Sequence, residues 1–228
     1  MMTPDQDNNG PIRKRGIYLL PNLFTTGSLF AGFYSIIVGM NHDFMMASIA
    51  IFIALVFDGL DGRVARLINA QSAFGAQYDS LADMLSFGVA PALLAYNWNI
   101  VYLDPLGWSK LAWLSAFIFA TCVALRLARF NVQLESPVDS KKAKRYFYGV
   151  PCPAAAAVVA SLIWVCDLHG YQGVGFSIAL IVVMLLASYL MVSNIYFRSF
   201  KDIDLKKNIR FTYLVLIIFI LAGIVLRN

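Results

Sequence analysis

The sequence predicts an all-α integral membrane protein of about seven transmembrane helices, and three observations carry that reading. The first is composition. Of 228 residues, 60% are apolar and 14% charged, where soluble domains hold about 45–50% and about 25%. The mean hydropathy is +0.69. A chain this short cannot bury so much apolar surface in water, and a bilayer is its natural solvent. The second is the division of the chain into seven apolar segments. The third is the placement of basic residues in alternate connections between those segments.

The segments run over residues 22–40, 44–68, 76–97, 110–131, 152–167, 174–197 and 210–226. Most approach the ~20 residues that a helix needs to cross the hydrocarbon core. The fifth is the shortest, and Pro153 suits the first turn of a helix there. No internal repeat or low-complexity tract interrupts them, so a single transmembrane domain over 1–228 is expected. Residues 1–10 are polar and no small-residue cleavage site follows the first apolar run. The first span is therefore expected to stay in the mature protein.

Charge sets the orientation. Arg13, Lys14 and Arg15 precede the first span, and Asn41-His42-Asp43 carries no Lys or Arg. Arg63 and Arg66 lie near the next connection, and 98–109 has none. Arg126, Arg129, Lys141, Lys142, Lys144 and Arg145 follow, then a neutral stretch at 168–173, then Arg198, Lys201, Lys206, Lys207 and Arg210. Of 18 basic residues only Lys110 and Arg227 fall on the other face. The pattern puts the N-terminus in the cytoplasm and, with seven spans, the C-terminus outside. The net charge of +5 then reads as a basic rim facing anionic membrane phospholipids, and nucleic acid is not an expected partner. Residues 11–20 (PIRKRGIYLL) fit a short interfacial helix or a plain topology signal equally well. Cys122, Cys152 and Cys166 form no CxxC and sit in or beside apolar runs, which fits helix packing.

The informative stretch is 58–83, DGLDGRVARLINAQSAFGAQYDSLAD. It holds four of the chain's 13 acidic residues, Asp58, Asp61, Asp79 and Asp83. A carboxylate at a helix centre costs about 2.5–3.5 kcal/mol or more. Asp58 lies 15 residues past Asp43, about 22 Å along a helix, which places it near the cytoplasmic interface. Asp58 and Asp61 are i,i+3, and Asp79 and Asp83 are i,i+4, so each pair shares a helix face. A short polar hairpin joins the two helices and makes them antiparallel neighbours, which brings the pairs together. Four converging carboxylates repel unless a cation holds them. All-oxygen ligands suit Mg²⁺, Mn²⁺ or Ca²⁺ rather than Zn²⁺, and no His or Cys lies in the stretch. Gly59, Gly62, Ala65 and Gly75 allow close backbone approach or room for a flat ligand. Arg66 is able to reach a phosphate from an apolar surround. From the carboxylates alone, an enzyme and a cation- or proton-coupled transporter are equally good readings.

As a unit the stretch resembles the signature of the CDP-alcohol phosphotransferases, D-x2-D-G-x2-A-R followed by G-x3-D-x3-D. All eight positions are filled, by Asp58, Asp61, Gly62, Ala65, Arg66, Gly75, Asp79 and Asp83. PNLFT at 21–25 resembles the family's P-N-x-x-T element. SFGVAPA at 86–92, ALRLARFN at 124–131, and LMVSN with SFK within 190–201 resemble the members that use serine, the phosphatidylserine synthases. GVPCPAAA at 149–156 is close to a family element in which Ser stands in place of Cys152.

The resemblance implies a six-helix core with one further span, and transfer of the phosphatidyl group of CDP-diacylglycerol to L-serine with release of CMP. It implies a divalent metal, Mg²⁺ or Mn²⁺ with Ca²⁺ as a further candidate, on Asp58, Asp61 and Asp79. Asp83 would be the general base and also touch a second metal. Gly62, Ala65 and Gly75 would border the cytidine, Arg66 would contact phosphate, and Asn22 and Thr25 would close the nucleotide site. The serine carboxylate is assigned to Arg126 and Arg129, with Asn131 and Ser86 beside them, because Arg is the best bidentate partner of a carboxylate. A multi-pass inner-membrane location with a cytoplasmic active site, and a homodimer, follow from the same resemblance. A family member with glycerol phosphate, inositol phosphate or choline as acceptor remains the alternative.

Overall fold

The computed structural model describes residues 19–67, 72–135, 146–193 and 196–198. Within them the chain is a bundle of helices. α1 spans Leu19–Met40 and α2 Phe44–Leu67. α3 spans Ala73–Asp83 and runs through a π-helical segment, Met84–Val89, into α4, Ala90–Leu103. α5 spans Ser109–Glu135, α6 Cys152–Leu168 and α7 Val174–Val192. Among the described residues, five apolar helical stretches are long enough to cross a bilayer, and α6 is a shorter sixth.

Local sequence explains where the elements begin. Asp43 accepts from Met46 N–H at 3.0 Å and caps α2. Ser72 caps α3 by accepting from Gly75 N–H at 2.9 Å. Pro153 lies in the first turn of α6 and Pro91 in that of α4, where no intrahelical N–H is missed.

α1 and α2 form the most extensive helix pair, α2 also packs on α6, and α5 packs on both α4 and α7. Small hydroxyl residues bring α1 and α2 close. Ser28 Oγ donates to Ala54 O at 3.1 Å, and Ser35 Oγ donates to Ala47 O at 2.8 Å. The common core holds Phe87, Trp98, Phe119, Ile163 and Met184, all fully buried. Phe44 meets Trp98 edge-on, with ring centroids 5.0 Å apart.

The helical spans expected at 22–40, 44–68, 110–131 and 152–167 lie within α1, α2, α5 and α6 to within a few residues. The third, expected at 76–97, is longer and contains the π-helical segment. The sixth, expected to reach residue 197, ends at Val192, where Ser193 is already extended. Beyond it Tyr196–Arg198 (β2) pairs antiparallel with Tyr146–Tyr148 (β1), and Phe197 lies opposite Phe147. Gly149, with φ +73°, turns the chain from this ribbon toward α6 and lies against the Leu190 and Met191 carbonyls. The span expected at 210–226 and most of the interfacial segment 11–20 fall outside the described residues.

Candidate metal centre and active site

The last three turns of α2 and the length of α3 build the site. Asp58 and Asp61 come from α2, and Asp79 and Asp83 from α3. One carboxylate oxygen from each of Asp58, Asp61 and Asp79 lies within 4.8 Å of the other two. Asp83 is outside that trio but in hydrogen-bond contact with Asp58. Helical spacing and the short connection after α2 thus do what the sequence implies, and four carboxylates converge.

Neighbouring helices hold this group in place. Thr25, buried on α1, donates from Oγ1 to Asp61 Oδ2 at 2.9 Å. Thr26 Oγ1 and Tyr78 Oη are 2.9 Å apart, which ties α1 to α3 one residue before Asp79. On the other side of α3, Ser80 Oγ donates to Asn131 Oδ1 at 3.1 Å, and Asn131 Nδ2 donates to Gln77 Oε1 at 3.5 Å. Asp79 therefore sits on a helix fastened to α1 and to α5.

The donor set fits a hard divalent cation. Asp79 Oδ1 is buried and accepts no hydrogen bond from the protein. Such an oxygen beside two further carboxylates is costly without a positive partner. The ligands are all oxygen, as Mg²⁺, Mn²⁺ and Ca²⁺ prefer.

The remaining expected site residues fall into three groups. Asn22 and Gly75 are brought together, since a Cβ on Gly75 would lie 3.6 Å from Asn22 Oδ1. Gly59 faces open space, with no atom within 4 Å of a Cβ built on it, and Gly62 is exposed beside Asp61. Ala65 and Arg66 lie on α2, and their side chains are outside the described residues.

The expected serine pocket is more dispersed. Arg126 is half-buried on α5 and donates from Nη1 to Cys152 Sγ at 3.4 Å, while its Nε is buried without a protein acceptor. Arg129 is exposed one turn further along. Asn131 is engaged with α3 as described. Ser86 is fully buried in the π-helical segment and donates to Ser28 O at 3.0 Å, so a soluble substrate meets no exposed atom of it.

Sequence reasoning missed Thr26, Gln77, Tyr78 and Ser80, which brace α3. Their only signal is adjacency to Thr25 and Asp79. It also gave Cys152 no role, and the structure sets its thiol against Arg126.

The chain is similar to known proteins along most of its length. The chain is 40% identical over 202 residues to the CDP-diacylglycerol–serine O-phosphatidyltransferase of Helicobacter pylori (strain ATCC 700392 / 26695), covering 88% of this chain and 80% of that one. It is 36% identical over 168 residues to the protein of the same name from Methanocaldococcus jannaschii, covering 74% and 71%. The Saccharomyces cerevisiae protein of that name is 39% identical over 150 residues, 59% of this chain and 50% of its own. Residues 18–192, which contain every described carboxylate of the cluster, match the CDP-alcohol phosphatidyltransferase family, and the chain belongs to it.

Proposed function

We propose that this enzyme transfers the phosphatidyl group of CDP-diacylglycerol to the hydroxyl of L-serine, giving phosphatidylserine and CMP. The observation that carries the reading is the convergence of Asp58, Asp61 and Asp79 within 4.8 Å, with Asp83 in contact with Asp58. The serine acceptor is supported by the names of the relatives from bacteria, yeast and an archaeon.

Asp58, Asp61 and Asp79 would hold a divalent metal, Mg²⁺ or Mn²⁺. When bound, it supplies positive charge that stabilises the pyrophosphate and the departing CMP. Asp83 accepts the proton of the serine hydroxyl, a weak nucleophile that needs a base within hydrogen-bond reach. The serine oxygen forms a bond to the lipid phosphorus as the bond from that phosphorus to the CMP oxygen breaks, in one displacement. Gly62, Ala65 and Gly75 border the cytidine, Arg66 contacts phosphate, and Asn22 and Thr25 close the nucleotide site. Gly59 and Gly62 leave α2 without side-chain bulk at that point. Arg126 and Arg129 bind the serine carboxylate, and the unpartnered Arg126 Nε supports this.

The basic residues of alternate connections support a site on the cytoplasmic face of the inner membrane, where both serine and CMP are soluble. The family resemblance supports a homodimer, which a mass measurement in detergent tests.

The deciding experiment is CMP release by purified protein from CDP-diacylglycerol with Mg²⁺ or Mn²⁺ and each acceptor in turn. Release that requires L-serine and is lost in Asp83→Asn is expected. Release with glycerol phosphate, inositol phosphate or choline instead would overturn the serine assignment and leave the metal site standing. No release by folded protein with any acceptor would return the transporter reading.

A further inference from the structure

Cys152 is fully buried, and its Sγ accepts from Arg126 Nη1 at 3.4 Å. The two side chains differ in freedom. Arg126 reaches the contact from α5 on a long stem with many rotamers. Cys152 stands on a rigid corner at the start of α6. Pro151 precedes it and Pro153 follows it, each with a fixed φ. Val150 N–H donates to Leu190 O at 3.3 Å and ties the corner to α7. Ala154 N–H and Ala155 N–H both donate to Pro151 O at 3.1 Å and begin the helix. Backbone therefore sets the place of the thiol, and the guanidinium is the partner that has to be held.

Which corner of the guanidinium is held matters. The group presents its N–H donors in a planar fork. Nε–H and one Nη2–H run parallel along one edge, and that edge takes a carboxylate side-on through two bonds. Nη1 lies off that edge, and Nη1 is what the thiol engages. Nε is buried and has no acceptor from the protein. The thiol is also within electrostatic reach of the Asp83 carboxylate. Arg126 from α5, Cys152 from α6 and Asp83 from α3 thus meet in one place, at the start of α6.

We propose that Cys152 is the positioning residue of Arg126: by holding Nη1 it presents the edge of Nε and Nη2 to a substrate anion, the carboxylate of serine. The proposal rests on the transferase reading and on Arg126 as the partner of that carboxylate. It gives a task to a side chain that touches no substrate itself. An arginine fixed before serine arrives loses less rotamer freedom when serine binds, so the gain falls on affinity. A hydroxyl at position 152 also offers an acceptor there, so serine in place of cysteine does the same work.

The test is the kinetics of CMP release by Cys152→Ser, Cys152→Ala and Cys152→Val, each made alone and together with Arg126→Met. Valine fills the volume of the thiol and has no acceptor. KM for L-serine should rise about three- to tenfold in both the alanine and the valine variant, the span of one ordinary hydrogen bond, and hold within about twofold in the serine variant. Both kcat and KM for CDP-diacylglycerol should change by about twofold or less, because the lost contact serves the binding of serine alone. With Arg126→Met in place, the alanine and valine substitutions should add nothing, since the residue they act through is gone. A KM for serine unchanged in both variants overturns the proposal. So does a rise in alanine that valine abolishes, which is a packing effect, and so does a full effect that persists without Arg126. Coupling between positions 152 and 126 that appears in KM for CDP-diacylglycerol, with KM for serine unmoved, upholds Cys152 as the residue that positions Arg126 and overturns the assignment of Arg126 to serine.

Discussion

Gly32 of α1 lies so close to Ser86 that a Cβ built on it would come within 2.5 Å of the Ser86 Oγ and 2.7 Å of its Cα. The second distance matters more. A side-chain atom can rotate away, but Cα moves only with the backbone. Ser86 also donates to Ser28 O, one turn before Gly32 on the same helix. This contact fixes the spacing between α1 and the π-helical segment, and Asp83 immediately precedes that segment.

Gly32→Ala should therefore push the π-helical segment outward and displace Asp83. Overpacking of this kind costs about 1–3 kcal/mol. The expected result is a lower unfolding temperature in detergent and a fall in kcat larger than the rise in KM for either substrate. An alanine variant with unchanged melting temperature and kcat would mean that the two helices separate freely here.

Removing the cluster's carboxylates one at a time should separate their roles. Asp58→Asn, Asp61→Asn and Asp79→Asn should each weaken Mn²⁺ binding, read by titration calorimetry, together with CMP release. Asp83→Asn should lower kcat by about 10²–10⁴-fold, the range of a general base, and leave the trio able to bind metal. Equal loss of metal affinity in all four would make Asp83 a ligand on the same footing as the others.

Thr25 orients Asp61 through a hydrogen bond of 2.9 Å. Residues that hold a ligand in this manner affect metal affinity by about 10–100-fold. Thr25→Val should raise the Mn²⁺ concentration needed for half-maximal activity by that factor. Saturating metal should restore most of the rate, whereas Thr25→Ser should stay close to the unchanged protein.

Chelation gives a simpler check on the donor set. Protein stripped with EDTA should release no CMP, and Mg²⁺ or Mn²⁺ should restore it, because the ligands are hard oxygens. Restoration by Zn²⁺ alone would be at odds with a group that, among the described residues, is made of the carboxylates of Asp58, Asp61 and Asp79.

Arg126 offers a split in kinetics. Arg126→Lys keeps the charge but loses the planar fork that binds a carboxylate through two bonds. KM for serine should rise by about 10–100-fold, as expected for one charge-assisted hydrogen bond of about 1.5–3 kcal/mol. KM for CDP-diacylglycerol should change little. The opposite pattern would assign Arg126 to the nucleotide or the lipid phosphate.

The carboxylate cluster was legible because two simple periodicities and one short connection determine it. Asp58 and Asp61 share a face at i,i+3, Asp79 and Asp83 at i,i+4, and a hairpin of few residues makes the helices antiparallel. The contacts that brace it were not legible. Tyr78 with Thr26 and Asn131 with Ser80 are 52 and 51 residues apart in sequence, and no local pattern encodes either pair. The π-helical segment MLSFGV carries no punctuation that sets it apart from an ordinary apolar turn. The end of α7 was misjudged for a related reason. Residues 193–197, SNIYF, are mostly apolar and prolong the hydrophobic run in the sequence, while the backbone is already extended at Ser193.

The ribbon of β1 and β2 bears on how the chain enters the bilayer during synthesis. α6 has 17 residues and is short for a span, so on its own it is a weak candidate for insertion. β1 precedes it and β2 follows α7, and the two strands pair. The pairing clasps the open end of a helical hairpin whose other end is closed by the short link from Leu168 to Val174. A nascent chain cut before residue 196 would lack that clasp. α6 and α7 are thus suited to enter together, as a unit completed only after β2 has emerged from the ribosome.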